Sequence, residues 1–326
     1  GHGTPFLEKV APKGRGTPRQ RGKSMPKEFY ITADQSGRRI DRLLRGMWPW
    51  VPLGAVMKAI RTGEVRLDAR KVKPDTRVEE GQFLQVPWDD AMPEQRTPDP
   101  DIKIRVKNSL ETIYRDEYLW IINKPAGLLT QPDTKGGDSL ITRVLTELAW
   151  TRSDFRPSTV QRLDRNTSGA VIVALTGPSL RHLSELIRER KIKKIYRAVV
   201  RGRMKDSGEI DLPLLKDPSS NTVRTDPDGQ RALTRYRRIS SGSGWSGIEA
   251  ELVTGRPHQA RVHLAAVGHP IIGDIKYGGD AKKAKRPLLH AYSLLFPDDA
   301  ELPQDIRGRE FKTPLPKDME EYFNEM

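Results

Sequence analysis

From residue 110 onward the chain is dominated by runs that favour extended backbone, and few helices separate them. Glu117–Asn123, Gly169–Leu175, Lys194–Arg201, Ala232–Ser240 and Ile248–Val253 are β-branched, aromatic or alternating in character. Two helices are expected among them, Ser139–Leu148 and Gly177–Arg190, with Ser139 and Gly177-Pro178 suited to their starts. Strands in series with few helices predict an α+β domain on a mainly antiparallel, mixed sheet with flanking helices. The strand–helix alternation of a doubly wound nucleotide-binding fold is missing. Gly242–Gly247 does match G-x-G-x-x-G, but the strand IEAELV follows where a helix N-terminus would have to meet a pyrophosphate, so the segment reads as a hairpin loop.

Residues 91–109 are rich in Pro, Asp and Gln and read as a linker. It divides the 110–326 domain from a small module at 27–90. In that module Ile40, Leu43, Leu44 and Met47 recur at helical spacing, and Pro49 and Pro52 then break the helix. A second helix from Leu53 carries Val56, Met57 and Ile60 on one face and closes at Gly63. Glu64–Leu67 and Gln82–Val86 read as strands. Two short basic helices before a small sheet resemble the RNA-binding domain first described in small-subunit ribosomal protein four. That resemblance implies that Arg38, Arg39, Arg42, Lys58 and Arg61 face an RNA backbone. An ordinary small α+β domain with solvated arginines has the same pattern. Residues 1–26 hold six Lys or Arg against one Glu among Gly and Pro, with no hydrophobic period. They are expected to be disordered, and Met25 is read as a native start behind the opening Gly1-His2.

Lys and Arg number 57 against 43 Asp and Glu, a formal charge of +14. Such a surplus points either to an anionic partner, nucleic acid above all, or to a solubilising surface. No stretch approaches the roughly 20 apolar residues that span a bilayer, and no secretory leader is seen. The chain has no cysteine, which removes disulfides, iron–sulfur clusters, thiolate zinc sites and cysteine nucleophiles together. A cytoplasmic compartment and no membrane partner are therefore expected. His258 and His263 lie five apart on the expected helix Pro257–Val267, a spacing that does not share one ligating face, so no metal is expected.

The chemistry-bearing passage is Gln161-Arg-Leu-Asp-Arg-Asn-Thr-Ser-Gly169, a polar loop before the apolar run AVIVAL. Asp164 sits between Arg162 and Arg165, whose charges favour an ionised acid. A surface salt-bridge loop has the same look. Thr254-Gly-Arg-Pro-His-Gln-Ala-Arg-Val-His263 enters a short helix and leads to Gly268-His-Pro-Ile-Ile-Gly-Asp-Ile-Lys-Tyr-Gly278. Two arginines at such a place can orient a phosphate or lock a carboxylate. Lys193–Ala198 sets Tyr196 in a basic strand, where it can stack on a base or offer its hydroxyl.

These motifs, together with KKIYRAVV, the upstream INKPAGLL of Ile122–Leu129 and the downstream PLLHAY of Pro287–Tyr292, resemble in order the RluA/RluC/RluD family of RNA pseudouridine synthases. The resemblance covers almost all of 110–326, and PLLK at Pro213–Lys216 leans towards the RluC-like branch. It implies that Asp164 is the catalytic aspartate and that Arg261 is its paired arginine. It implies that Tyr196 stacks on the uracil and helps remove the carbon-5 proton. Arg162 then helps the target nucleotide leave its stack, Arg165 and Lys124 lie with the substrate, and Leu289 packs near the base, although the Lys124-Pro125 loop also reads as structural. Gln161, Gln131 and Ala260 depart from the family pattern at positions not expected to be catalytic.

The implied reaction detaches uracil from ribose, turns it and rejoins it through carbon-5, so no cofactor is expected. The implied partner is RNA, large-subunit ribosomal RNA ahead of transfer RNA, and the protein is expected to act as a monomer. Whether Asp164 attacks carbon-1′ or takes a proton from carbon-2′ stays open. A sugar hydrolase would need a second acid flanking the bond, and none stands in a comparable setting. A non-catalytic RNA-binding or ribosome-assembly factor would explain the charge and the small module but not the RLD loop.

Overall fold

The computed structural model describes residues 27–88, 110–133, 137–150 and 155–323. The expected basic tail and the expected linker lie outside the described residues. Two compact units form, one from 27–31 and 39–88, the other from 32–38 and 110–323. The stretch 32–38 holds to the larger unit because Asp34 Oδ1 accepts from the Gly177 amide at 2.7 Å and Arg181 donates to the carbonyls of Ala33 and Ser36. Arg38 thus groups with the larger unit, apart from the other module arginines.

The small unit comprises β1 (Lys27–Tyr30), α1 (Ile40–Met47), α2 (Leu53–Thr62), β2 (Arg66–Leu67), β3 (Arg70–Lys71) and β4 (Phe83–Val86), with strands ordered β1-β4-β2-β3. Ile40, Leu43 and Leu44 of α1 and Val56, Ala59 and Ile60 of α2 meet in one buried cluster. Gly63 caps α2 at φ 81°. Met57, expected on the inner face, is 39% exposed. It stands about 100° round the helix from Val56, and Ala59 takes the inner position.

The larger unit continues with β5 (Glu111–Arg115), β6 (Leu119–Lys124), α3 (Leu140–Glu147), β7 (Ser158–Thr159), β8 (Ser168–Ala174), α4 (Gly177–Arg188), β9 (Lys193–Arg201) and β10 (Ser207–Asp211). Then come β11 (Leu214–Asp217), β12 (Thr222–Thr225), β13 (Leu233–Gly242), β14 (Trp245–Leu252), α5 (Gln259–Ala266), β15 (Leu289–Leu295), β16 (Glu310–Lys312) and α6 (Lys317–Phe323). Ten strands form one sheet ordered β10-β13-β14-β9-β15-β8-β6-β5, with β16 on β15 and β7 on β8. Among its described pairs only β8–β15 is parallel, so the α+β reading with a mainly antiparallel mixed sheet holds. Gly242 pairs with Trp245 across a two-residue turn, so the glycine-rich stretch is a hairpin. Glu117 falls in the β5–β6 turn rather than in a strand, because Asp116 Oδ1 accepts from the amides of Tyr118 and Leu119.

The continuous apolar run of β8 follows from burial on both faces. Val171 and Val173 join one core with Trp120, Ile122 and residues of α3, α5 and α6, while Ala170 and Ile172 join another with Leu183 and Leu186 of α4. Capping boxes start α3 (Ser139 with Thr142) and α4 (Thr176 with Ser179), the latter one residue before the expected Gly177. Gly169 has φ 115°, and a Cβ there would lie 2.2 Å from the Ala291 carbonyl oxygen. Only glycine lets β8 run beside β15 directly after the RLD loop.

The same junction buries His290 between Ser168 Oγ, 2.9 Å from Nδ1, and Thr313 Oγ1, 2.8 Å from Nε2. Burial draws its pKa from 6.5 down to about 4, so the unfolded chain binds more protons between those values. This contribution to stability is whole above about pH 6.5 and falls by about 2 kcal/mol on reaching pH 5. Urea unfolding at pH 7 and pH 5 should register that loss, and His290→Asn should remove it.

Candidate active site

The RLD loop joins β7 to β8 and lays Asp164 in a cleft of about 740 Å³. The cleft is also lined by Tyr196 of β9, Arg261 of α5, Leu289 of β15, and Arg162 and Arg165. Residues spread over 128 positions therefore meet in one place, because β9 pairs with β15, β15 with β8, and α5 packs on the same core.

Arg261 Nη1 donates to Asp164 Oδ2 at 2.9 Å. Its Nε and Nη2 donate to the two oxygens of Asp274 at 2.7 and 2.8 Å. Burial works against the guanidinium charge, but hydrogen bonds and charge from Asp274 and Asp164 outweigh it and raise the pKa above the ordinary arginine value. Asp274 is 1% exposed and spends both oxygens on Arg261, whereas the Asp164 side chain is still 33% exposed. One carboxylate holds the clamp and the other faces the cleft. Asp274 was not singled out in the sequence, although it lies in the quoted GDIKYG.

The flanking arginines do not clamp the acid. Arg162 and Arg165 are exposed, and neither forms an ion pair with Asp164. The contact comes from 97 residues away.

Tyr196 is buried, and burial first, then the Asp164 charge, push its phenol well above the ordinary tyrosine range. It therefore enters neutral solution with its proton on. Leu289 is 4% exposed beside it on the inner sheet face.

Lys124 is not brought to the cleft. It is fully buried, and its Nζ donates to the carbonyls of Pro125, Leu128 and Arg165 at 3.0, 2.7 and 3.2 Å. Burial pulls its pKa down to about 7. Three carbonyls take up its three N–H groups, so this lysine ties the β6 loop to the RLD loop and offers nothing to a substrate.

His258 and Tyr277 complete the wall behind the acid. His258 Nε2 lies 3.7 Å from Asp164 Oδ1, and its Nδ1 lies 2.6 Å from the Tyr277 hydroxyl. Burial lowers the imidazole pKa, with the Asp164 charge opposing. The Arg261 guanidinium sits 5.0 Å from the Tyr277 ring centre. His263 points elsewhere, to Thr234 Oγ1 and the Leu212 carbonyl. Among the described residues no group of three or more His, Cys, Asp or Glu could hold a metal, and no helix is long and apolar enough to cross a membrane.

The family described as RNA pseudouridylate synthase matches residues 118–266, a span that includes Asp164, Tyr196 and Arg261. The chain is 33% identical over 308 residues to the ribosomal large subunit pseudouridine synthase C of Vibrio cholerae serotype O1, covering 91% of this chain and 95% of that protein. To the protein of the same description from Escherichia coli K12 it is 34% identical, covering 76% and 78% respectively. The solved human RNA pseudouridylate synthase domain containing 4 superposes with a TM-score of 0.52 at 27% identity, covering 66% of this chain and 94% of that one. Identities of 33 and 34% over most of the chain, together with the family match, lead to one conclusion: the chain belongs to the RluA/RluC-type family of RNA pseudouridine synthases, isomerases that act on RNA.

Proposed function

We propose that this synthase isomerises uridine in large-subunit ribosomal RNA, the RNA named in the descriptions of its Vibrio and Escherichia relatives. It acts as a cytoplasmic monomer without a cofactor. The observation that carries the site assignment is the asymmetric clamp: one guanidinium saturates a sealed carboxylate and leaves Asp164 aimed and reachable. In the reaction the N1–C1′ bond breaks, the uracil turns, and a C5–C1′ bond forms. The C5 proton leaves as N1 gains one, so atoms balance without a redox step. Asp164 meets the sugar as nucleophile at carbon-1′ or as base at carbon-2′, and in either role Arg261 preorganises its charge. Tyr196 and Leu289 form the platform on which the freed base turns. A phenol held protonated suits holding the base better than accepting its C5 proton. Arg162 and Arg165, exposed at the mouth, offset the few kcal/mol spent in unstacking the target.

Mapping pseudouridines in cells with and without the gene tests the substrate. Loss of one or more large-subunit sites is expected; intact ribosomal RNA with a missing transfer RNA site would move the assignment to transfer RNA.

The small unit serves as an RNA-backbone contact through Arg42, Lys58 and Arg61, which are exposed. Arg39 contributes less, because Asp41 holds its guanidinium at 2.8 and 3.2 Å. Replacing Arg42, Lys58 and Arg61 with Gln should lower the log–log salt slope of RNA binding by about 0.7 per lost single-strand phosphate contact. An unchanged slope would take this unit off the RNA.

A further inference from the structure

Behind Asp164 runs a chain of polar contacts that the clamp does not use. The Val223 amide of β12 donates to the Tyr277 hydroxyl oxygen at 3.1 Å, and that oxygen lies 2.6 Å from His258 Nδ1. The phenol can turn its single hydrogen onto Nδ1 while its oxygen accepts from Val223. The imidazole then carries its own hydrogen on Nε2, the nitrogen 3.7 Å from Asp164 Oδ1. Arg261 occupies Oδ2, so Nε2–H addresses the other oxygen of the same carboxylate. The backbone agrees that the placement is constrained. His258 has φ 53°, a left-handed conformation that few non-glycine residues adopt, and its side chain makes no hydrogen bond that would cap α5. The charged groups around the ring are Asp164, Arg261, Lys276 and Asp274.

We propose that His258 is a positioning residue whose Nε2–H, fixed in that tautomer by Tyr277, closes on Asp164 Oδ1 when uridine is bound and sets the angle at which the carboxylate meets the sugar. The 3.7 Å gap is too long for a hydrogen bond in the free protein and short enough to close by a small side-chain rotation. The far end of the relay is the backbone of the β11–β12 hairpin, whose Lys216 and neighbouring Asn221 line the cleft. Carboxylate orientation is thereby tied to a hairpin that lines the cleft. This role rests on Asp164 being the acid of the proposed reaction.

The test compares His258→Asn, His258→Gln and Tyr277→Phe by tritium release from a carbon-5-labelled large-subunit ribosomal RNA transcript. Asn is the better residue for left-handed backbone but too short to reach Asp164, whereas the Gln amide reaches. His258→Asn and Tyr277→Phe should lower kcat by about tenfold with KM changed less than about twofold, and His258→Gln should stay within about threefold of the parent. Nitrogen-15 NMR of the ring should find Nε2 protonated in the parent protein and the preference lost in Tyr277→Phe. Asn equal to or faster than Gln would leave only a backbone role and overturn the proposal, as would a ring protonated on Nδ1 in the parent. If the parent protein releases no tritium from this transcript, the ribosomal RNA substrate of the proposed function fails, and the tautomer measurement still judges the relay.

Discussion

Asp164→Asn is expected to abolish tritium release from carbon-5-labelled uridine RNA while leaving RNA affinity within about threefold of the parent. Asn has the volume and an oxygen acceptor of Asp, so Arg261 Nη1 keeps a partner and the loop keeps its path between β7 and β8. What vanishes is the negative charge at the sugar. Neither covalent attack on carbon-1′ nor proton abstraction at carbon-2′ survives that loss, so the expected fall in kcat is on the order of 10⁴-fold. Binding is carried by the surrounding cations and by the cleft walls, which the substitution does not touch. The two readouts therefore separate chemistry from docking. Normal tritium release by the variant would remove Asp164 from the reaction, and a matching collapse of affinity would turn it into a binding residue.

Asp164 stood out as an RLD triplet in a polar loop before a fully buried strand, but a surface salt-bridge loop has the same look, and the family resemblance is what singled the acid out. Its clamp was harder to read. Arg162 and Arg165 are adjacent in sequence but splay into solvent, while the arginine that grips Asp164 arrives on α5 from 97 residues away. Only the family resemblance pointed to it, since spacing alone says nothing about which helix packs over which loop. Asp274 was invisible for a related reason. A buried acid is improbable from composition, and the signal that it is matched, a fork-shaped partner, exists only in three dimensions. The central strands were readable because burial on both faces forces continuous apolar runs. Edge and short strands such as β5, β10 and the β11–β12 pair carry polar, half-exposed residues and were missed. Lys124, at the end of β6, reads from sequence either as a substrate contact or as structural, and the three carbonyls around its ammonium decide for the second.

Asp274→Asn should damage the enzyme by a different route, costing stability as well as rate. Asp274 is sealed beside Gly273, where φ 82° and the Arg286 carbonyl oxygen, 1.9 Å from any added Cβ, fix the backbone that presents it. Its two oxygens take Nε and Nη2 of Arg261, so the guanidinium has one orientation in which Nη1 points at Asp164. Removing the charge leaves a buried cation with one partly exposed partner. Breaking a buried pair costs about 3–5 kcal/mol, and because the Asn oxygen still accepts one hydrogen bond the loss should sit near the lower end, about 3 kcal/mol, measured by urea unfolding. The freed guanidinium is then drawn towards Asp164 with both nitrogens of the fork, which buries the lone pairs that the sugar needs, and kcat should fall by about 100-fold at unchanged KM. Arg261→Lys supplies the complementary case. A lysine keeps the charge but its single ammonium cannot span two carboxylates in fixed geometry, so it should match Asp274→Asn in kcat. Full stability and full rate in Asp274→Asn would show that Arg261 orients itself without this acid, and the clamp would then be no more than a consequence of packing.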